Sequence, residues 1–442
     1  MEKPQFLIGA TSSGCGKTTF TLGLLRALYK RGLKVQPFKC GPDYLDTKHH
    51  TMAANCESYN LDTFMSSPQH VQSIYARQCT DADICITEGV MGLFDGYDNM
   101  KGSSAEIAEL LDIPVILIVN ARSTAYTVAA ILYGFKYFRP SIKIAGVIFN
   151  FVSSPSHYAY LQQACLDAGV EALGYLPKCQ EIEIPSRHLG LNIDHEFCFH
   201  DFADKIAAQI EKTVLIDKIL GFTLKPISQT TNTSETVVNT PMHIAVARDE
   251  AFNFIYPANI RALEQYGTIS WFSPIHDSEL PTADFVYLPG GYPELYLPQL
   301  SDNQSMRQSI LNYCQNNGLL LAECGGMMYL CNSIRNALGE SFPMCGFLPQ
   351  TATMENMKLK LGYRKVTIGD HTFHGHEFHY SHILPGGEGI PTIGEITNAI
   401  NSPVDTLIYR KNRVTAGYTH FYCADSGHSL LDIAQAGDNN NY

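Results

Sequence analysis

Residues 9–19 read Gly-Ala-Thr-Ser-Ser-Gly-Cys-Gly-Lys-Thr-Thr, and this stretch decides the fold of the first half of the chain. The apolar run at 6–10 predicts a strand before it, and the spacing of Leu24, Leu25 and Leu28 predicts a helix over 17–31 after it. A strand, a glycine-rich turn and a helix starting at Gly-Lys-Thr are typical of a phosphate-binding loop, since small residues let backbone N–H groups approach phosphate. Thr11 replaces the first glycine of the strict motif, so we predict a variant loop.

The loop predicts ATP and Mg²⁺ as cofactors. Lys17 is expected to reach the β- and γ-phosphates, and Thr18 to bind Mg²⁺ through its hydroxyl. Carboxylates for the same metal belong at other strand ends of the sheet, where Asp43 and Glu88 follow apolar runs. The predicted nucleotide contacts are Thr11, Gly14, Gly16, Lys17, Thr18 and Thr19. Lys39 is a candidate for phosphate or substrate binding or a solvated lysine, and the pair His49 and His50 is typical of polar surface.

Both halves of the chain alternate short apolar runs with helical patterns. The runs in the first half continue at 35–38, 84–87, 115–119 and 144–149, and those in the second half lie at 244–247, 268–272, 285–288 and 319–322. Uninterrupted apolar strands separated by helices predict α/β domains with mostly parallel, doubly wound sheets. Residues 221–241 are rich in Thr, Ser and Asn and predict a linker. We therefore predict an ATP-binding domain over 1–220, a second α/β domain over 242–436 and a frayed tail over 437–442.

Composition excludes several classes of protein. The net charge is -12, from 43 acidic and 31 basic residues, and basic residues cluster only in short pieces such as 410–413, which argues against nucleic-acid binding. No apolar run approaches the roughly 18 residues needed to cross a membrane. The 13 cysteines are scattered without a CxxC pair, which favours reduced thiols in the cytoplasm.

One cysteine lies in a special context. The apolar run 319–322 leads into Glu323-Cys324-Gly325-Gly326 and then into a helix-prone segment, an arrangement typical of a nucleophile elbow. The helix N-terminus is expected to lower the pKa of the Cys324 thiol. Gly325 and Gly291, in the glycine-rich turn 288–294, are the predicted oxyanion donors. The alternative is a buried structural thiol, the usual environment of cysteine.

A nucleophilic cysteine needs a base. His420, on the strand-like segment 416–422, is the best candidate, and spacing alone leaves His374, His376 and His379 open. The same three histidines could form a metal site, but Gly375 argues against the helical spacing that such a site requires.

These motifs together resemble the cobyrinic acid a,c-diamide synthase family of the cobalamin pathway. The resemblance extends over nearly the whole chain and rests on the segments 11–19, 38–44, 88–96, 184–191, 245–249, 290–294, 322–326, 375–381 and 418–420. It implies a dethiobiotin-synthetase-like ATPase domain joined to a class I glutamine amidotransferase-like domain. It also implies Cys324 as nucleophile, His420 as its base, and amidation of the a and c acetates of cobyrinic acid with ATP, Mg²⁺ and glutamine.

The chain departs from the family pattern at a few positions. Ala10, Asn120 and Ser186 stand where the family usually has glycine, aspartate and a longer charged residue. Tyr422 stands where class I amidotransferases usually carry the glutamate that orients the histidine, so His420 needs a third group from elsewhere or works in a dyad. Tyr44, Asp95 and His376 are expected to line the corrinoid region.

Several alternatives stay open at this point. The same chemistry could act on hydrogenobyrinic acid or nickel sirohydrochlorin, and the phosphate loop alone also suits a partition-type ATPase or a non-enzymatic corrinoid or nucleotide binder. A homodimer, the order of amidation and the ammonia route are likewise open. The two reactive sites are expected to face each other across the domain interface.

Overall fold

The computed structural model describes residues 2–178, 199–226, 241–384, 389–425 and 429–436. The predicted tail, most of the predicted linker and the segment 184–191 lie outside these ranges. The chain divides into two compact units, the first comprising Met1–Thr63 and Ser67–Asn232, the second Phe64–Ser66 and Thr233–Tyr442.

The first unit alternates strands and helices from its N-terminus. Its strands are β1 (Glu2–Ala10), β2 (Val35–Cys40), β3 (Tyr59–Leu61), β4 (Ile84–Glu88), β5 (Val115–Asn120), β6 (Ile144–Val152), β7 (Ala172–Pro177) and β8 (Leu224–Pro226). Its helices are α1 (Lys17–Lys30), α2 (Leu45–Ala54), α3 (Pro68–Cys79), α4 (Ser104–Leu110), α5 (Val128–Phe138), α6 (Pro155–Ala168), α7 (Phe199–Thr213) and α8 (Ile216–Phe222).

The sheet of this unit has the order β3-β2-β4-β1-β5-β6-β7, with parallel pairing along that path. Every residue of β2 and β4 is buried, as the uninterrupted apolar runs predict for a sheet covered on both faces. The order places β1 between β4 and β5, so the loops after these strands open at the carboxyl edge where α/β proteins bind ligands. The predicted doubly wound parallel sheet is confirmed.

The second unit contains fourteen strands and five α-helices among its described residues. The strands are β9 (Met242–Ala247), β10 (Gly267–Phe272), β11 (Phe285–Leu288), β12 (Leu319–Glu323), β13 (Cys331–Arg335), β14 (Ser341–Pro343), β15 (Leu348–Thr353), β16 (Lys360–Ile368), β17 (His371–His379), β18 (His382–Ile383), β19 (Glu395–Thr397), β20 (Ile408–Lys411), β21 (Val414–Gly417) and β22 (His420–Phe421). The helices are α9 (Pro257–Glu264), α10 (Leu297–Asp302), α11 (Gln304–Gln315), α12 (Gly325–Leu330) and α13 (Leu430–Gln435).

Three sheets build this unit. The main sheet, β10-β9-β11-β12-β21-β20, is parallel except for the antiparallel edge strand β20. Two four-stranded sheets have the orders β14-β13-β15-β18 and β19-β16-β17-β22. The sequence predicts the main sheet well, but it misses the long antiparallel pair β16 and β17, whose histidine-rich alternation is not an apolar run.

The predicted linker begins too early. Residues up to Phe222 form α8, and β8 pairs antiparallel with the start of β1. Gln5 of β1 donates a side-chain hydrogen bond to the Lys225 carbonyl at 2.8 Å, and its backbone N–H bonds to the Thr223 carbonyl. The first part of the Thr- and Ser-rich segment is therefore part of the first unit. In the described part of the chain, none of the helices has the length and apolar character to span a bilayer.

Candidate active site

The predicted phosphate loop lies between β1 and α1. Gly16 has φ 90° and caps the N-terminus of α1, and a Cβ at this position would lie 1.9 Å from Asn150 Nδ2. The Asn150 amide donates to the Cys15 carbonyl at 3.0 Å, so a strand neighbouring β5 supports the loop. Only glycine combines this backbone conformation with so close a neighbour. The residues from Gly16 onwards therefore present helix N-terminal N–H groups, as a phosphate site requires.

Lys17 and Thr18 point to the same region at the ends of β1 and β4. The Lys17 ammonium donates to the Met91 carbonyl in the loop after β4. The Thr18 hydroxyl donates to Glu88 Oε1 at 2.7 Å and lies 3.5 Å from Asp46 Oδ2. Burial lowers the pKa of Lys17, and the nearby Lys39 ammonium acts in the same direction. The structure thus brings Lys17, Thr18 and Glu88 together.

A buried network surrounds Glu88. Lys39 Nζ lies 2.9 Å from Glu88 Oε1 and 2.6 Å from Asp46 Oδ2, and His50 Nε2 lies 2.7 Å from Glu88 Oε2. Burial would raise the pKa of Glu88, but Lys39 and His50 hold it below its usual range. Lys39 and His50 are 3% and 0% exposed, so the predictions of a solvated lysine and of a surface His49–His50 pair are wrong.

Asp43 lies two residues before α2, about one turn ahead of Asp46. Its Oδ1 accepts the Asp46 backbone N–H at 2.8 Å. Burial, followed by the charge of Asp46, raises the pKa of Asp43 to about 6. Asp46 was missed by the sequence analysis, although its spacing from Asp43 on the same helix start is visible. The donor set of hydroxyl and carboxylate oxygens is the chemistry that Mg²⁺ prefers, so these residues fit the ion.

In the second unit, Cys324 occupies the turn between β12 and α12. Its φ of 47° and ψ of -105° are unusual for a residue with a side chain and are typical of a strained nucleophile turn. The Cys324 N–H donates to the Gly417 carbonyl at 2.7 Å, which ties the turn to the neighbouring β21. A Cβ on Gly325 would lie 3.1 Å from the Gly291 nitrogen, so the two predicted oxyanion donors are close neighbours.

His420 lies three residues beyond Gly417, on β22. It pairs with His376 across β17 and β22, and the two imidazoles stack with centroids 5.2 Å apart. Burial, together with the imidazoles of His376 and His379, holds the pKa of His420 well below its usual range. His420 is therefore a neutral imidazole, the form that can accept a proton.

The expected pKa of Cys324 is wrong in direction. Burial raises the pKa of the thiol well above its usual value, and the carboxylates of Glu294, Glu377 and Glu323 act in the same direction. The bond from the Gly325 N–H lowers it but does not compensate. The prediction failed because it counted the short helix α12 and left out the burial of the thiol and, after that, the carboxylate charges. A protonated thiol needs a base to become nucleophilic.

Glu323 is the carboxylate next to His420. Its Oε2 lies 3.8 Å from His420 Nδ1, accepts the Tyr287 hydroxyl at 2.7 Å, and its Oε1 accepts the Phe421 N–H at 3.1 Å. Burial raises the pKa of Glu323 to about 8, although both donors lower it. The class I pattern places the orienting glutamate two residues after the histidine, at Tyr422, whereas this carboxylate directly precedes the cysteine.

The three predicted corrinoid contacts belong to different units. Tyr44 lies before α2, and Asp95 accepts the Gly92 N–H at 2.9 Å in the loop after β4, both in the first unit. His376 lies in the second unit, where Tyr256 Oη is 3.2 Å from its Nδ1 and its imidazole stacks on that of His420. This stacking indicates that His376 supports the imidazole ring of His420. The three histidines His374, His376 and His379, all within the described residues, do not form a group that could hold a metal ion.

Gly290 lies directly against the imidazole ring of His420. A Cβ at Gly290 would lie 2.1 Å from His420 Cε1. Gly290→Ala is therefore expected to displace the imidazole and to lower glutaminase activity about 10²-fold, the cost of a small misplacement of a catalytic group. Gly134→Ala, on α5 with open space around its Cβ, is the matched control. Unchanged glutamine hydrolysis by the Gly290 variant, measured by glutamate release, would show that the imidazole position is unimportant.

Comparison with known proteins finds a matching family for each of the two parts of the chain. Residues 6–191 match the CobQ/CobB/MinD/ParA nucleotide binding domain, and residues 243–427 match the CobB/CobQ-like glutamine amidotransferase domain. Cobyrinate a,c-diamide synthases of Salmonella typhimurium and Syntrophotalea carbinolica are 40% and 39% identical, covering 95% and 96% of both chains. Hydrogenobyrinate a,c-diamide synthase of Brucella abortus is 39% identical, over 86% of this chain and 89% of its own.

A nucleotide-binding domain joined to a glutamine amidotransferase domain defines a glutamine-hydrolysing ligase that uses ATP. At this identity and coverage, the chain belongs to the cobyrinate a,c-diamide synthase family.

Proposed function

We propose that this protein amidates the a and c acetate carboxylates of cobyrinic acid, using ATP and ammonia released from glutamine. The observation that carries the proposal is that one chain holds two arrangements. A nucleophile turn and a neutral histidine both pack against the glycine pair Gly290 and Gly291, and a phosphate loop lies beside buried carboxylates. Each half alone would suit another function, but together they supply both a nitrogen source and a means of activating its acceptor. Glutamine and a corrinoid are the substrates, and the cytoplasm is the proposed location.

The glutaminase reaction begins at Cys324. The sulfur attacks the carboxamide carbon of glutamine while His420 Nε2 accepts the thiol proton, and the resulting oxyanion is held by the N–H groups of Gly291 and Gly325. His420 then returns the proton to the departing ammonia, leaving a thioester. Water hydrolyses the thioester to glutamate and restores the thiol. The neutral state of both Cys324 and His420 suits this order, because no charge needs to be buried before substrate binds.

The synthetase reaction occurs at the phosphate loop. A carboxylate is a poor acylating agent, so an oxygen of the acetate first attacks the γ-phosphorus of ATP, giving an acyl phosphate and ADP. Lys17 and the loop N–H groups stabilise the charge on the transferred phosphoryl group. Ammonia then attacks the carbonyl carbon, phosphate leaves, and the lost proton passes to solvent. Amidation of the second acetate repeats the cycle.

Thr18, Glu88, Asp46 and Asp43 are the residues proposed to hold Mg²⁺. When bound, the ion neutralises charge on the phosphates of the nucleotide. Lys39 lies between Glu88 and Asp46, and its ammonium group balances the negative charge of these two carboxylates. Burial opposes a charged Lys39, but Asp46 and Glu88 raise its pKa well above the usual value, so it remains a cation.

The product identifies the reaction and the tetrapyrrole. Incubation with ATP, Mg²⁺ and glutamine should give successive mass decreases of the corrinoid, each equal to the exchange of a hydroxyl for an amino group. Parallel reactions with hydrogenobyrinic acid and nickel sirohydrochlorin separate the alternative substrates, and the Brucella relative makes hydrogenobyrinic acid the principal one. Glutamine hydrolysis without a change in any of the three tetrapyrroles would contradict the proposal.

We also propose that Glu323 is the third group, which positions His420. Its ionised carboxylate attracts the Nδ1–H of His420, which makes Nε2 the proton acceptor and stabilises the imidazolium formed during catalysis. Glu323 ionises as the pH rises through about 8, so glutaminase activity should rise through the same interval.

Glu323→Gln tests this role. We expect glutamine hydrolysis to fall about 10²-fold, the lower end of the contribution of general base catalysis, and the rise of activity near pH 8 to disappear. Ammonia-dependent amidation should be unaffected. Tyr287→Phe removes one donor to Glu323 and should shift the rise to higher pH without abolishing it. A Glu323 variant that retains the pH profile of the parent would exclude the positioning role.

A further inference from the structure

Three carboxylates raise the pKa of the Cys324 thiol, and two of them have partners. Glu377 Oε2 lies 2.7 Å from Arg364 Nη2, and Glu323 accepts hydrogen bonds from Tyr287 and from the Phe421 N–H. The third, Glu294, has no salt bridge or side-chain hydrogen bond among the described residues. It is nevertheless half-buried and is the charged group with the largest effect on the Cys324 thiol.

The backbone around Glu294 is built into the cysteine site. Glu294 lies in the short 3₁₀ turn Pro293–Leu295, directly after the glycine turn that contains Gly291. A Cβ on Gly325 would lie 2.8 Å from Pro293 Cδ, so the residue before Glu294 packs against the nucleophile turn. The segment thus places an oxyanion donor and a carboxylate residue against the turn that carries Cys324.

Leaving a carboxylate in this position has an energetic cost. Burial raises the pKa of Glu294 to about 7, and only its own backbone N–H opposes the effect. A partly desolvated carboxylate without a cation is destabilising, and such groups are usually found paired with a cation. A ligand that brings a positive charge to this place would remove the cost. Glutamine carries such a charge in its α-ammonium group. Two methylene groups separate the α-carbon, which bears this group, from the carboxamide carbon.

We propose that Glu294 binds the α-ammonium group of L-glutamine and thereby selects the α-amino acid as nitrogen donor. This inference rests on the proposed glutaminase function of Cys324. It assigns separate tasks to the three carboxylates: Glu323 positions His420, Glu377 is held by Arg364, and Glu294 recognises substrate. The same negative surroundings repel the new carboxylate of the product glutamate, which favours its release after hydrolysis.

Glu294→Gln is the variant that tests the inference, because it keeps the shape and removes the charge. We expect the KM for L-glutamine to rise about 10- to 100-fold, the range for loss of one charge-assisted hydrogen bond. Glutaramate, which has the same carboxamide and carboxylate but no α-amino group, should be hydrolysed by the variant as well as by the parent. The preference for L-glutamine over glutaramate should therefore collapse in the variant.

Two measurements separate the possible outcomes. Glu279→Gln, an exposed carboxylate of the same unit, is the charge-matched control and should leave both KM values unchanged. An unchanged KM for L-glutamine in Glu294→Gln, with an active parent enzyme, would overturn the inference but leave the proposed function intact. An equal loss with L-glutamine and glutaramate would also overturn it, because it would indicate damage to the cysteine turn. A parent enzyme without glutaminase activity would instead contradict the proposed function.

Discussion

Cys324→Ala is expected to abolish amidation with glutamine and to leave amidation with ammonium salts intact. Without the sulfur no thioester can form, and removal of a nucleophile from a concerted set of catalytic groups typically costs about 10⁴-fold or more. The phosphate loop belongs to the other unit, so its chemistry should need only ammonia from solution. The measurement is product formation at saturating corrinoid and ATP with each nitrogen source.

A second cysteine provides the control for this experiment. Cys331 is also fully buried, seven residues further along, and its thiol donates to the Met327 carbonyl at 3.5 Å. Cys331→Ala should retain glutamine-dependent amidation, because this thiol follows α12 at the start of β13 and lies outside the nucleophile turn. Loss of ammonia-dependent amidation in Cys324→Ala would show that the cysteine does more than supply nitrogen, and retention of glutamine-dependent amidation would remove it from the mechanism.

Lys17→Met is expected to lower amidation with both nitrogen sources strongly while glutamine hydrolysis remains measurable. The methionine fills the same buried volume but removes the positive charge that stabilises the transferred phosphoryl group. Loss of one such group typically lowers the rate about 10²- to 10³-fold. Product formation with ammonia measures the synthetase step directly, and glutamate release in the same sample measures the other.

The exposed Lys143, paired with Asp112 in the same unit, is the matched control. Lys143→Met should be fully active, which would show that the loss in the Lys17 variant is not a general effect of removing a lysine. Normal ammonia-dependent amidation by Lys17→Met would contradict the assignment of the phosphate loop. Together with the cysteine variants, this pair distinguishes the bifunctional enzyme from a partition-type ATPase, which needs Lys17 but not Cys324.

Most of the strands that carry the two sites are predictable from apolar runs in the sequence. The predicted run 285–288 coincides with β11, and the run 319–322 is one residue shorter than β12, which ends at Glu323. The first apolar run, at 6–10, lies within β1. These predictions succeeded because a strand of a parallel sheet that is buried on both faces is apolar at nearly every position. The antiparallel β16 and β17 were not predicted, because their residues alternate in burial and include several histidines.

The same contrast applies to the candidate sites. Lys17, Thr18 and Cys324 were identified from local motifs, since the backbone around them is defined by neighbouring residues. His50 carries no such local signal, and Asp46 carries only its spacing from Asp43. Their closeness to Glu88 and Thr18 arises from the packing of α2 against the sheet. Protonation could not be read from motifs either, because desolvation and distant carboxylates determine it.

By itself, the sequence determined two α/β units, a phosphate loop and a cysteine turn, because each depends on contiguous glycines, apolar runs and helix starts. Only the tertiary structure decided which charges surround these motifs. Glu323 comes within 3.8 Å of His420 although 97 positions separate them, since β12 and β21 are neighbours and β22 follows β21. Strand pairing, and not chain proximity, brings such groups together, and burial then sets their charge.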